Sequence, residues 1–307
     1  MLGIVLSIVG GLVLLAVGGE LLVRGAVGIA KKLGLSNLVT GLVIVGAATS
    51  MPEMVASIQA AFAGSPEIAW GNIAGSNIAN SLLILGATAM IAPIVLTGMG
   101  RRDAVVGVIV AALLLVLALS QIGAVWLGIV LIALLCVYLY WRYNHPRVDD
   151  DDDGEEGVQS FPLAIVIGAA GVAVLVVGGS LLVGGAIELA TIAGLSETVI
   201  GLTIVAVGTS LPELAASAVA AFRGKPGLAV GNVLGSNIFN ILLIGGATMT
   251  LAPLPVPTTM IAYDLPFTLA VAVMLWALLS YRHQIGRLLG AALLAIFAAN
   301  TAFLLLS

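Results

Sequence analysis

Two stretches, Thr49-Ser50-Met51-Pro52-Glu53 and Thr209-Ser210-Leu211-Pro212-Glu213, set a carboxylate beside two hydroxyls and a proline inside long apolar runs. Proline has no N–H and its ring crowds the carbonyl four residues back, so the first helix has to loosen near Ala48. In hydrocarbon a freed carbonyl is tolerated only where it faces protein or a wet cavity. A glutamate at such depth costs about 2.5–3.5 kcal/mol on insertion scales. Something must offset that cost at both positions, and a bound cation is the candidate. Helical spacing places Thr49 and Glu53 on one face at i, i+4, with Ser50 at i, i+3 from Glu53, and the same holds for Thr209, Ser210 and Glu213. On the next run Asn72, Ser76 and Asn80 form an i, i+4 row, and Asn232, Ser236 and Asn240 form its partner. Gly71 and Gly75 permit close backbone approach or a break nearby. All these side chains offer hard oxygen, and neither His nor Cys is within reach. That donor set suits Ca2+ or Na+ and not zinc or copper. Two buried glutamates carry a charge of about −2, which one Ca2+ or two Na+ ions neutralise, so either ion can compete for one cage.

The elements that must position these groups are membrane helices. Of 307 residues, 61% are hydrophobic and 8% charged, with a mean hydropathy of +1.22. Apolar runs long enough to cross a bilayer recur throughout. Ten spans are expected near 2–23, 38–62, 67–91, 103–120, 123–141, 161–187, 197–222, 227–252, 261–280 and 285–306. The first lacks a basic flank and is too long for a signal segment, so it reads as a span that stays. The fold expected is an all-α polytopic membrane protein with a five-helix repeat over 1–141, an acidic linker over 142–160 and a second five-helix repeat over 161–307.

The repeat is gapless. Glu213 lies 160 positions after Glu53, and that offset aligns 17–93 with 177–253, with 44 of 77 positions identical. Five spans is an odd number, so the halves insert with opposite orientation. Inverted repeats with interrupted helices at matching positions are the plan of secondary transporters, whose sites lie near the bilayer midplane. All eleven Lys and Arg residues fall on one side of the ten spans: Arg24, Lys31 and Lys32; Arg101 and Arg102; Arg142 and Arg147; Arg223 and Lys225; Arg282 and Arg287. The positive-inside rule then puts both termini outside and the linker in the cytoplasm of a cell or inner membrane.

With its paired motifs, Gly71-Asn72-Ile73-Ala74-Gly75-Ser76-Asn77-Ile78-Ala79-Asn80 and its copy at 231–240 above all, the chain resembles the calcium/cation antiporter superfamily, specifically prokaryotic sodium/calcium exchangers. The resemblance implies that Glu53 and Glu213 are the central calcium ligands. It implies further oxygens from Thr49, Ser50, Ser76, Thr209, Ser210 and Ser236, with Asn80 and Asn240 completing the site and the carbonyls of Gly46 and Ala206 as backbone ligands. It also implies that spans one and six slide as a pair against the other eight. Two departures stand out: Ala48 occupies the place of Gly208, and Asn240 stands where some relatives carry aspartate. Proton-coupled relatives often show a glutamate three residues after Gly-Asn, where this chain has Ala74 and Leu234, which favours sodium.

The function expected is therefore antiport of Na+ against Ca2+, with no cofactor. A proton/calcium exchanger on the same fold is the alternative, followed by a cation channel. A sodium-coupled carrier of organic solutes lacks an aromatic or Arg group to orient its substrate. No nucleophile–base set supports an enzyme, and the scattered basic residues do not support nucleic-acid binding. Asn77 and Asn237 face away from the Ser76 row and suit packing or interhelical hydrogen bonds. Glu20, Glu67, Glu188, Glu197, Asp103 and Asp264 read as interfacial, and Cys136 as a packing or lipid-facing residue. Asp149, Asp151, Asp153 and Gly154 mimic the spacing of a calcium-binding loop, but Ser160 stands where its bidentate glutamate is needed, so 142–160 reads as a solvated linker.

Overall fold

The computed structural model describes residues 2–96, 99–145, 160–193 and 208–306. Eight helices in it are long and apolar enough to cross a membrane, and a ninth span is a bent pair. The first half comprises α1 (Leu2–Leu33), α2 (Asn37–Thr40), α3 (Gly46–Thr49), α4 (Met51–Phe62), α5 (Pro66–Ala79), α6 (Leu85–Ile91), α7 (Arg101–Ser120) and α8 (Val125–Asn144). The second comprises α9 (Phe161–Ile192), α10 (Leu211–Phe222), α11 (Pro226–Phe239), α12 (Gly245–Leu251), α13 (Asp264–Tyr281) and α14 (Arg287–Leu306). With α10 on the seventh span, these elements fit ten transmembrane helices in two inverted five-helix repeats. Residues 194–207, with Glu197, and residues 146–159, with the acidic run, lie outside the described residues.

The first and sixth spans are longer than their apolar stretches suggest. Each of α1 and α9 has 32 residues, about 48 Å at 1.5 Å per residue. Hydrocarbon thickness limits the apolar stretch and not the helix, so α1 continues past Arg24 to Lys31 and Lys32. The two helices run antiparallel in close contact. A Cβ on Gly11, Gly18 or Gly25 would meet α9 backbone at 2.6, 2.7 and 2.4 Å respectively. Their repeat mates Gly171, Gly178 and Gly185 face α1 in the same manner, with nearest approaches of 2.4, 2.9 and 2.9 Å. Small residues are what allow membrane helices to approach so closely, because packing replaces a hydrophobic driving force there.

Helices α5–α6 and α11–α12 are the enclosed centre of the molecule, and α14 shows most of its surface. Gly231 and Gly235 bring α11 against α2 and the turn after it; a Cβ on either would meet the Leu38 or Leu42 carbonyl at 2.2 Å. Gly71 and Gly75, expected to allow the same approach, have no neighbour within 4 Å among the described residues. The close contact is therefore seen in the second half.

Loops on each face are joined. Ile94–Val95 (β1) pairs antiparallel with Gln284–Ile285 (β2), and Leu96 N–H donates to the His283 carbonyl at 2.6 Å. On the other face Gln121 Nε2 donates to the Val256 carbonyl at 3.2 Å, and Gly123 lies against Pro253, Leu254 and Pro255. Two acids placed at span ends are drawn inward. Asp103 is buried, ion-paired with buried Arg142 at 3.1 Å and accepting from Tyr138 Oη at 2.8 Å. A buried charge needs such partners, so the interfacial reading of Asp103 is corrected. Glu20 bridges Arg24, one helical turn on, and Arg223 at the end of α10, whose Nε lies 2.6 Å away.

Candidate ion-binding site

The prolines act as their chemistry requires. The helix bends by 44° between Asn37–Thr49 and Met51–Phe62, with Ser50 at φ −80°, ψ 3° as the hinge. Ser210 repeats that backbone at φ −92°, ψ 7°. Pro52 and Pro212 then sit in the first turn of a new helix, where a missing N–H is harmless. The following spans have their own interruptions: π-helical turns at Asn80–Ile84 and Asn240–Ile244, each opening on a candidate ligand. A further π-helical turn at Gly41–Val45 precedes α3. Such turns widen the helix locally and recur at functional sites.

Of the residues singled out in the sequence, Gly46, Thr49, Ser50, Glu53, Ser76, Asn80, Ser210, Glu213, Ser236 and Asn240 are all buried, and Thr209 is half-buried. Ala206 lies outside the described residues. The halves meet here. The Gly46 carbonyl is approached at 3.5 Å by Ser236 Oγ from α11 and by Thr49 Oγ1 from its own helix. Thr49 Oγ1 also donates to the Val45 carbonyl at 3.0 Å and reaches Asn232 Oδ1 at 3.3 Å. The Glu213 carboxyl group lies within electrostatic reach of Glu53 and close to the hydroxyls of Thr49 and Ser50. Ser50 Oγ completes no hydrogen bond there with proper geometry.

Among the described residues ten buried side-chain oxygens have no hydrogen-bond partner. Six belong to candidate ligands and fall into three repeat-related pairs: Ser50 and Ser210 Oγ, Glu53 and Glu213 Oε2, Asn80 and Asn240 Oδ1. The other four are Thr88 and Thr248 Oγ1, Asn237 Oδ1 and Ser280 Oγ. Buried polar atoms are nearly always satisfied. Orphans in symmetric pairs, two of them on carboxylates, are acceptors of the kind a hard cation takes.

Asn72 and Asn232 have a different task from that of their rows. Asn72 Nδ2 donates to the Glu53 carbonyl at 3.1 Å and Ser57 Oγ at 2.8 Å; Asn232 Nδ2 donates to the Glu213 carbonyl at 3.2 Å and Ser217 Oγ at 2.8 Å. They fix the backbone that carries each acid. Ser57 and Ser217, both fully buried, were not apparent in the sequence, although their matching places four residues after each glutamate are a signal of a kind. The departure at Ala48 has a steric counterpart. A methyl group on Gly208 would lie 2.3 Å from Val183 Cγ2, so the second half needs glycine there.

A ten-helix inverted repeat with an oxygen-lined site between its halves defines a secondary transporter. The family model described as sodium/calcium exchanger protein matches residues 3–144 and 163–306, and the chain belongs to that family of membrane antiporters. The CaxA protein of Alkalimonas amylolytica is 37% identical over 302 residues, 94% of each chain. The sodium/calcium exchanger MaX1 of Methanosarcina acetivorans is 32% identical over 334 residues, spanning 94% of this chain and 95% of its own. A solved structure of the sodium-calcium exchanger NCX_Mj, soaked with 10 mM Na+ and zero Ca2+, is similar with a TM-score of 0.84 and 30% identity over 98% of each chain.

Proposed function

We propose that the protein exchanges Na+ for Ca2+ at one cage between its halves. Glu53 and Glu213 are its charged ligands. Thr49, Ser50, Ser76, Thr209, Ser210, Ser236, Asn80 and Asn240 supply neutral oxygens, with the carbonyls of Gly46 and Ala206. The observation that carries this reading is that six of the ten unpartnered buried oxygens among the described residues belong to the candidate ligands, in three repeat-related pairs that include both glutamates. Two carboxylates balance one Ca2+ or two Na+, so occupancy by one ion excludes the other, which is the requirement for antiport. Membership in the exchanger family, MaX1 and the NCX_Mj structure support the same pair of ions. The two repeats, 1–141 and 161–307, each contribute half the cage. The linker between them, 142–160, faces the cytoplasm in this reading, and both termini face outward.

The test is uptake of radioactive calcium into proteoliposomes loaded with sodium. Dissipating the sodium gradient should stop uptake, and Glu53→Gln or Glu213→Gln should abolish it while the protein still elutes as a folded species. Uptake that follows a pH gradient without sodium would transfer the reading to proton/calcium exchange. Flux that ignores every counter-gradient would mark a channel.

A further inference from the structure

The row Ser76 and Asn80 accounts for one face of α5, but Asn77 lies one residue, about 100°, around the helix. It is buried and points across the pseudo-two-fold axis. Its Oδ1 accepts from Asn240 Nδ2 at 3.2 Å, a contact between residues 163 positions apart. That bond engages the nitrogen end of the Asn240 amide, while Asn240 Oδ1 has no partner among the described residues. An amide can offer either a carbonyl oxygen or an NH2 group, and only the oxygen can ligate a cation. A half-turn of the Asn240 side chain would present two N–H donors to the ion.

We propose that Asn77 is a positioning residue that holds the Asn240 amide with its oxygen towards the cage. The inference rests on the exchanger reading above and adds to it a residue outside the ligand set. The repeat does not duplicate the arrangement. Asn237, the mate of Asn77, donates its Nδ2 to Ser81 Oγ at 2.8 Å. The residue repeating Ser81 is Ile241, so the second half has no hydroxyl to engage Asn77 in return. Asn237 Oδ1 has no protein partner and lies at a cavity of about 20 Å³ lined also by Asn77, Ser81 and Thr268. Such a space holds one water, which can satisfy that oxygen without recruiting Asn80. The brace therefore orients one of the two ligand amides, Asn240, and ties the halves together directly behind the site.

A carboxylate presents an oxygen whichever way it turns, so Asn240→Asp makes the brace unnecessary. The experiment compares Asn77→Ala in the unmodified chain and in an Asn240→Asp chain. Calcium half-saturation is read from the calcium-dependent rise in Tm of the purified full-length protein. Asn77→Ala should weaken half-saturation by roughly tenfold in the unmodified chain, the worth of about one hydrogen bond. It should weaken it by no more than about twofold in the Asn240→Asp chain, against that parent. Equal losses in both would reduce Asn77 to a packing residue and overturn the proposal. So would no loss in the unmodified chain, or an Asn240→Asp parent that no longer binds calcium. If Asn77→Ala does not fold, Asn77→Ser replaces it, its hydroxyl one bond too short to meet Asn240. An unmodified chain without a calcium-dependent rise in Tm would sink the exchanger reading and this inference with it. One that binds normally, with Asn77→Ala binding equally, sinks this inference alone.

Discussion

Asn232 donates to two groups at once, the Glu213 carbonyl and Ser217 Oγ, while its Oδ1 lies 3.3 Å from the Thr49 hydroxyl of the other half, whose one proton is shared with the Val45 carbonyl. It is buried, so no bulk water replaces those bonds. Leaving a buried polar group unpaired costs about 1–3 kcal/mol. Asn232→Leu strands two groups in its own half and should lower Tm by several degrees with no cation present. Asn72→Leu, at a half-buried position, should cost less. In a Ser217→Ala background part of the Asn232→Leu penalty should vanish, because the stranded hydroxyl is already gone. Thermal unfolding of the detergent-purified variants checks all three; an Asn232→Leu protein as stable as its parent would rule out a net contribution from these bonds. The acids, the prolines and the Asn-Ser rows were legible because chemistry that is costly in hydrocarbon recurs at one offset, 160 residues. Ser57 and Ser217 were not, since a small hydroxyl on a helix looks the same whether or not an asparagine from the next span bonds it. The Asp103–Arg142 pair was hidden for another reason: its partners lie on different spans, and nothing in a linear pattern distinguishes a buried end from a wet one.

The α1–α9 pair shows what a whole element contributes. Three glycines seven residues apart on each helix allow backbone-to-backbone packing along most of the pair's length. Among the described residues both helices contact α10, and α1 also touches α2 and the turn after it, with Glu20 and Arg223 closing the α10 contact at one end. At five of the six glycines, all but Gly185, a Cβ would lie within 3.0 Å of the partner's backbone, so a side chain there must push the two helices apart. Gly25→Val would set a branched carbon where even a Cβ meets Gly168 N at 2.4 Å. Overpacking of this kind costs about 1–3 kcal/mol, and the loss should appear as a lower Tm together with reduced exchange. Gly10→Val is the control: the same substitution on the same helix, with nothing within 4 Å of its Cβ. It should stay within about 0.5 kcal/mol of the parent. If the two variants behave alike, close packing of this pair is not what the glycines supply. The existence of ten spans was readable from hydropathy alone. The bend at Ser50 could be placed to within a turn from Pro52, but the π-helical turns at Asn80 and Asn240 have no such marker. They depend on how the surrounding helices pack, which no local pattern records.

For the whole molecule, the assignment with physical consequence is which face meets the cytoplasm. The joined loops constrain the answer, because each face is a unit. The strand pairing of Ile94–Val95 with Gln284–Ile285 keeps the loops around Arg101 and Arg282 together, and Glu20 brings Arg24 beside Arg223. The uncharged turns near Gln121 and Val256 are bonded to each other on the opposite face. The basic residues on these joined loops therefore act as one block under the positive-inside rule. That predicts a clean result from cysteine labelling, which the single native cysteine, Cys136, makes simple once it is replaced by alanine. Ser120→Cys, exposed on the uncharged face, should react with a membrane-impermeant maleimide in intact cells. His283→Cys, exposed on the basic face, should react only after the membrane is opened. The reverse pattern would invert the whole assignment, termini and linker included, while leaving the cage between the halves where it is. Labelling of both sites in the same intact cells would mean that the chain inserts in two orientations, and the lysine and arginine asymmetry would then not suffice to orient it.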